Sequence, residues 1–117
     1  MAAITDLTWQ QLQDAIGITG AITVVSGKVV IDVGLIAGAT IDGLSDTGVI
    51  KFLDKLLEAG YDAQVSANTS QTTGERLAAF SNATIGAPSS AGLVPVTRTV
   101  GFRYLLDSAT TIQGPNN

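Results

Sequence analysis

The residue types that usually perform chemistry are scarce in this chain. It contains neither histidine nor cysteine, which removes the commonest general base, the usual nucleophile–base pairs and most transition-metal sites. Asp42 and Asp46 lie four residues apart in a glycine-flanked segment. Their spacing lacks the alternating oxygen ligands and the closing glutamate of an EF-hand calcium loop. We interpret both as solvated loop acids, with Asp46 near a helix N-terminus.

The segment Ser26-Gly27-Lys28 is similar to the end of a phosphate-binding loop. That motif requires glycine where this chain has Ile22, and it requires a helix where the following sequence is typical of a strand. Serine–lysine and carboxylate pairs also occur, but nothing in the sequence places their members together. We therefore predict no catalytic, cofactor-binding or metal-binding residues, and a protein that is not an enzyme.

The composition narrows the classes of partner. Of 117 residues, 45% are hydrophobic and only 14% are charged, against about 25% charged residues in an average soluble domain. The net charge of −4 argues against nucleic-acid binding, which needs a concentrated set of cations. An uncharged polar surface is covered by another subunit at little desolvation cost. Composition therefore fits an assembling protein, and it fits a neutral β-rich surface equally well.

The longest apolar stretch, residues 21–41, has the look of a membrane segment but contains Lys28 and Asp32. Each of these charges would cost about 2.5–3.5 kcal/mol at the centre of a bilayer. The stretch is therefore better interpreted as strand sequence, and we expect no membrane partner. The first residues lack a basic leader and carry Asp6 early, so we also expect no secretion signal.

Residues 94–106 show the most regular alternation of apolar residues in the chain, and Arg98 lies within it. Apolar side chains alternate there as on one side of a β-strand, at Val94, Val96, Val100, Phe102, Tyr104 and Leu106. Arg98 interrupts this row, and Pro95 near its start favours an edge strand.

Two accounts of Arg98 remain open at this point. In the first, only Val100 to Leu106 is buried and the arginine extends over its neighbours to water. In the second, another chain covers Val94, Val96 and Arg98 and supplies a carboxylate to the guanidinium. A strand of this length is unusual, and long edges are normally covered, which favours the second account.

The candidate interface follows from this second account. Every cation in residues 61–117 is an arginine, a side chain suited to fixed pairing with carboxylates. Trp9 is the only tryptophan, and we expect it to anchor the docking of the first helix. The predicted interface residues are Val94, Val96, Arg98, Arg103 and Trp9.

Local signals place the elements that would position these residues. Residues 8–17 predict a helix with Thr8 as its cap, Gln11 completing a capping box and Gly17 at its end. Next, Ser26-Gly27 predicts a hairpin turn that sets Val24 opposite Val29 and Ile22 opposite Ile31. The period continues through Val33 and Leu35, which predicts that the second strand runs on past Gly34 and Gly38.

A second helix is predicted from about Thr47 to Ala59, with Gly60 as its C-terminal cap. The small-residue stretch from Tyr61 to Gly92 predicts either a short helix or a strand around residues 74–80. Such a long segment without large side chains is unusual in a compact domain unless it is functional or packs on a neighbouring subunit. Together these elements predict an α+β fold, β-rich with an antiparallel sheet, as a single domain over 1–107 with an extended tail over 108–117.

In overall character the chain resembles small structural proteins of tailed-phage virions, especially capsid cement or decoration proteins. The resemblance lies in MAAITDLTWQQLQ at the start, the Ser/Thr-rich middle and DSATTIQGPNN at the end. It includes no diagnostic motif, so no functional residue is carried over. It implies a virion protein, assembled in the host cytoplasm, that forms a homo-oligomer such as a trimer. Such a subunit would clamp a larger shell or tail protein through strands and extended segments.

Other classes stay open. A tail or baseplate subunit would have the same character, and a cellular array-forming protein fits nearly as well. A glycan-binding module would need exposed aromatic side chains near polar clusters, and Trp9, Tyr61 and Tyr104 are few for that purpose. The mass of the purified particle separates these classes, because only the assembling proteins form stable oligomers without sugar.

Overall fold

The computed structural model describes residues 6–71 and 76–102. It has the mixed α+β architecture that the sequence predicts, with a short N-terminal helix, a central helix and small antiparallel sheets. The predicted tail over 108–117 lies outside the described residues. The same holds for the end of the predicted strand, with Arg103, Tyr104 and Leu106. The elements in chain order are α1 (Trp9–Ile16), β1 (Ile22–Val25), β2 (Lys28–Ile31), α2 (Val33–Ala37), α3 (Val49–Thr69), β3 (Thr84–Ile85) and β4 (Val96–Thr97).

Helix α1 begins and ends at the predicted residues. The Thr8 hydroxyl accepts a hydrogen bond from the Gln11 backbone N–H at 3.1 Å, and the Gln11 side chain accepts one from the Thr8 N–H at 2.8 Å. This reciprocal pair is the predicted capping box. Gly17 ends the helix in the left-handed conformation, with φ of 74°. Helix α1 then packs against α3.

The first hairpin also has the predicted register, with Ile22 opposite Ile31 and Val24 opposite Val29. Ser26 and Gly27 have φ angles of 51° and 76°. Positive φ at both central positions is what a type I′ turn requires, and this turn matches the twist of a hairpin. The connection therefore needs no bulge.

The predicted continuation of β2 past Gly34 is wrong, because the chain turns into the short helix α2. The Asp32 carboxylate accepts a hydrogen bond from the Leu35 N–H at 3.1 Å and so caps this helix. Gly38 ends it with φ of 68°. Two capping residues thus override an apolar alternation that would also suit a strand. Helix α2 packs against α3, as α1 does.

The predicted end of the central helix at Gly60 is also wrong, since α3 continues to Thr69. Gly60 is buried inside the helix, and its lack of a side chain allows Phe80 to lie against it. A Cβ atom at position 60 would be 2.5 Å from Cε1 of Phe80. The glycine therefore allows the Phe80 ring to approach the helix closely, and it does not end the helix.

Residues 79–101 form an irregular antiparallel hairpin. Its strands meet at β3 and β4, where Thr84 lies opposite Thr97, and again at a bridge between Phe80 and Val100. Four residue steps separate Phe80 from Thr84, but only three separate Thr97 from Val100, so the first strand carries one extra residue. This bulge interrupts the ladder. The long strand predicted from Val94 is consequently broken within the described residues.

The interior of the described part is built from small side chains. Its buried apolar residues are Ala21, Ile36, Ala37, Ala59, Ala63 and Ala67, and no large side chain is fully buried. Three of these alanines recur every fourth residue along α3, on the side that meets α1 and α2. The larger apolar side chains mostly lie outside this alanine core.

Candidate interface

A polar face of α3 holds the second half of the chain. The Gln64 side-chain amide donates to the Phe80 carbonyl at 2.8 Å and accepts from the Phe80 N–H at 2.9 Å. One helical turn on, the Asn68 amide makes the same pair of bonds with the Leu77 backbone, at 2.8 and 2.9 Å. Each amide therefore pairs with both the N–H and the carbonyl of one residue, as the backbone of a neighbouring strand would. Gln64 is 7% exposed, so its two bonds are largely sheltered from water.

Arg98 continues this attachment to α3, nearer the N-terminal end of the helix. Its Nε donates to Asp54 Oδ1 at 2.6 Å, and its Nη2 lies 3.4 Å from Glu58 Oε2. The hydrogen bond that Arg98 donates to Asp54 raises the pKa of the guanidinium above its usual value, so the side chain keeps its charge. Its side chain is 13% exposed, and those of Asp54 and Glu58 are 39% and 49% exposed.

The structure gives Arg98 carboxylate partners that neither sequence-based account named. The guanidinium does not extend freely into water, and its carboxylate partners come from its own chain and not from a second one. The reason is that the bulged hairpin turns this side of the strand towards α3, which presents two acids four residues apart. Asp54 and Glu58 were not recognised from the sequence, where they only continue the polar side of the helix.

Val94 and Val96, the apolar members of the predicted interface next to Arg98, are each 48% exposed. Val96 pairs across the small sheet with Ile85, which is 68% exposed, and Leu93 at the end of the loop is 72% exposed. These four side chains give the hairpin of residues 79–101, the second hairpin of the chain, an apolar surface. No part of the described chain covers it.

Trp9 does not anchor α1 by burial, because it remains 55% exposed. It lines a groove of about 420 Å³ between the start of α1 and the second hairpin, together with Leu12, Phe80, Val100 and Phe102. Phe102 is 74% exposed. Val94, Val96 and Arg98 do not line this groove, so the structure divides the predicted interface set between two places. Arg103 lies outside the described residues.

The first hairpin exposes apolar side chains on both of its faces, which was not predicted from the sequence. Val24 and Val29 on one face are 72% and 45% exposed, and Val25 and Val30 on the other face are 55% and 43% exposed. A two-stranded hairpin is marginally stable alone in water. The available signal was the doubled valine in each strand, which places apolar side chains on both faces and so predicts a hairpin covered on both.

The two loop acids, Asp42 and Asp46, are both exposed. Asp46 Oδ2 accepts hydrogen bonds from the backbone N–H groups of Asp42 at 2.8 Å and Gly43 at 3.0 Å. These bonds, the one from Asp42 first, lower the pKa of Asp46 below its usual value of 3.8. Within residues 6–71 and 76–102, no group of three or more acidic residues is arranged to hold a metal ion.

Over the same described ranges, no helix combines the length and the apolar character that crossing a membrane would require. Comparison of the chain with models of protein families, with curated proteins and with solved structures gives no match.

Proposed function

We propose that this protein is a non-enzymatic structural subunit, which assembles with copies of itself and with a larger shell or tail protein. The observation that carries the proposal is the inverted distribution of apolar side chains. Five of the six buried apolar residues are alanines, whereas seventeen large apolar side chains in the described part are exposed. Full burial of one such side chain contributes about 1.5–3 kcal/mol, so a partner that covers several of them gains substantially.

The exposed side chains are grouped, which supports specific contacts. One group lies on the first hairpin, a second on the hairpin of residues 79–101, and a third along the start of α3, where Val49 and Ile50 are 65% and 80% exposed. Monomeric soluble proteins scatter such side chains singly, and contiguous patches mark sites of interaction. The low charge content reduces the desolvation cost of covering these surfaces.

Within this class we favour a capsid cement or decoration protein of a phage virion. Support comes from the resemblance in overall character described above, from the exposed hairpins and from the negative net charge. A cement protein acts by bridging neighbouring shell subunits, and exposed strands with uncovered apolar faces suit that task. The proposed site of action is therefore the virion.

Light scattering coupled to size-exclusion chromatography tests the assembly component. We expect the particle mass to exceed that of one chain and to grow from low micromolar to high micromolar concentration. A mass that stays at one chain over this range would contradict the proposal. A mass that changes only on addition of sugars would instead support a glycan-binding module.

Immunogold electron microscopy of particles from the native source tests the virion component. With antibodies raised against the purified chain, we expect gold on the heads of intact particles at regular positions. Preimmune serum on the same grids is the control. Gold on tails would reassign the subunit to the tail, and unlabelled particles would overturn the virion assignment while leaving self-assembly in place.

A further inference from the structure

The outer edge of β2 carries backbone groups that nothing in the described residues uses. Asp32 N–H donates to the Ala21 carbonyl at 2.8 Å, which fixes the alternation of bonds in the first hairpin. In an antiparallel ladder this makes Thr23–Val30 a hydrogen-bonded pair and leaves the groups of Val29 and Ile31 pointing outward. Two N–H and two carbonyl groups are therefore available along β2, and such an edge is a template for another strand.

The edge of β1 is partly occupied and is therefore a poorer template. Ile22 N–H points outward there, but it donates to the Gln13 side-chain oxygen at 2.6 Å. The same amide donates from its nitrogen to the Ile18 carbonyl at 2.7 Å, which holds it across the start of the strand. A strand added at this edge would have to displace Gln13. The two edges of the first hairpin thus differ in the backbone groups that are available to an added strand.

The β2 edge is complementary to itself. If two copies of β2 pair antiparallel about a two-fold axis at Val30, then Val29 lies opposite Ile31 of the second copy, and the outward groups of both form hydrogen bonds. The same register sets Lys28 opposite Asp32 of the second copy, and Asp32 opposite its Lys28. Opposite charges directly across an antiparallel pair are favourable. Shifting the register by two residues either way loses both charge pairs.

The side chains are free to meet in this way. Lys28 is exposed and forms no ion pair within the described residues. Asp32 caps α2 through Oδ1 only, and its backbone is extended, with φ of −86° and ψ of 98°, so it continues the line of β2. Val30, 43% exposed, would meet the Val30 of the second copy at the axis, where side chains of a non-hydrogen-bonded pair approach closely.

We propose that β2 forms a two-fold interface with β2 of a second copy, joining two hairpins into one four-stranded antiparallel sheet. The inference rests on the proposed assembly function and names its contact, because it identifies the partner as the same chain and the surface as one strand edge. A two-fold contact uses the same residues on both subunits. It also converts a marginal two-stranded hairpin into a sheet of ordinary size.

Proline substitutions at matched positions test the edge. Val29 and Val24 face each other across the hairpin, and the N–H of each points outward, one on the β2 edge and one on the β1 edge. Proline is tolerated at such positions, because the lost N–H is not used in the ladder. We expect Val29→Pro to raise the dimer dissociation constant roughly 30-fold, through loss of two symmetry-related hydrogen bonds. Val24→Pro should leave it within about threefold.

Charge reversals at matched lysines test the register. Lys28→Glu places glutamate opposite Asp32 of the second copy, and we expect the dissociation constant to rise about tenfold. Lys51→Glu on α3 changes the net charge equally, at an exposed lysine that forms no ion pair with any other described residue, and should have little effect. Adding Asp32→Asn to Lys28→Glu removes the repulsion while keeping a capping residue, and should recover most of the affinity.

Sedimentation equilibrium of each variant, with circular dichroism to show that it folds, reads out these constants. Equal effects of Val24→Pro and Val29→Pro, or of Lys28→Glu and Lys51→Glu, would overturn the β2 interface. A stable trimer would overturn it as well, since one two-fold edge does not close a trimer, but it would leave the proposed assembly function standing. A wild-type chain that stays monomeric at every concentration would overturn both.

Discussion

The two halves of the described chain are held to α3 by different forces. Residues 6–41 dock through α1 and α2, which pack against the central helix and its buried alanines. Residues 77–101 are attached mainly by polar contacts, through the amides of Gln64 and Asn68 and the ion pairs of Arg98. The apolar contacts of the first half depend little on the orientation of the side chains. The hydrogen bonds and ion pairs of the second half depend on particular donors and acceptors.

The attachment of residues 77–101 is the more vulnerable of the two. Loss of one amide or one guanidinium removes a whole contact from the second half, because few other interactions replace it. Loss of one small apolar contact from the first half removes only a fraction of the buried area. Local unfolding of residues 77–101 should therefore occur at lower free energy than unfolding of α1.

The largest effect is expected from Gln64→Leu, which keeps the size of the side chain and removes both of its hydrogen bonds. The N–H and carbonyl of Phe80 lose these partners in a sheltered place, and we expect a loss of about 2–4 kcal/mol in the free energy of unfolding. Amide hydrogen exchange should accelerate across 77–101 before it does in α1. Gln10→Leu, the same change at an exposed position of α1, should cost less than about 0.5 kcal/mol.

Gly60→Ala is expected to destabilise the protein although alanine is the better helix former. The added methyl group would lie 2.5 Å from the Phe80 ring, and such overpacking costs about 1–3 kcal/mol. A double-mutant cycle with Phe80→Ala, followed by urea unfolding, provides the check. The cost of Gly60→Ala should largely vanish in the Phe80→Ala background. An equal cost in both backgrounds would show that the close contact between the glycine and the ring does not matter.

Arg98→Met should cost about 1 kcal/mol, because its carboxylate partners are partly exposed and solvent weakens the pair. The loss should shrink at high salt, where the wild type loses its own ion-pair contribution. Thermal unfolding at low and high salt measures both quantities. A methionine variant as stable as the wild type at low salt would mean that Arg98 does not hold the second hairpin in place.

Ser26→Asn should stabilise the first hairpin by about 0.5 kcal/mol. Ser26 has a φ of 51°, and asparagine adopts positive φ more readily than serine in a type I′ turn. Chemical-shift or exchange measurements on the amides of β1 and β2 should detect the gain. The second hairpin should be unaffected, and a gain there of equal size would show that the change acts through the whole fold.

The smallest effect concerns Asp46, whose pKa is lowered by hydrogen bonds to its charged form. A carboxylate with a lowered pKa contributes stability that is present above the usual value of 3.8 and is lost as the pH falls through the folded value. Wild type should therefore be slightly more stable than Asp46→Asn at neutral pH. Acid titration of both proteins should show the difference closing below that value, and a constant difference would exclude the mechanism.

The sequence predicts well those elements whose signals are local. Thr8 with Gln11 fixes the start of α1, and Ser26 with Gly27 fixes the hairpin register, because the partners lie within a few residues of each other. It fails where a residue's role depends on a distant partner. Gly60 is typical of a helix end until Phe80 is seen against it, and Arg98 lacks a partner until the bulged hairpin brings it to Asp54.

The candidate interface divides in the same way. Exposure at Val94 and Val96 agrees with the pattern of residues 94–106, which predicts an apolar strand surface. The pairing of Arg98 within its own chain could not be predicted, since it depends on one extra residue between Phe80 and Thr84. The unused edge of β2 follows from the hydrogen-bond alternation, which the sequence alone does not fix.

The alanine core has a thermodynamic consequence. Alanine loses no rotamer freedom when it is buried, so this interior forms at low entropic cost but contributes little transfer free energy. In the proposed assembly, further apolar free energy is gained when subunits meet and cover the exposed side chains. By mass action the midpoint of thermal unfolding should rise with protein concentration, and an isolated copy should be the least heat-resistant form of the molecule.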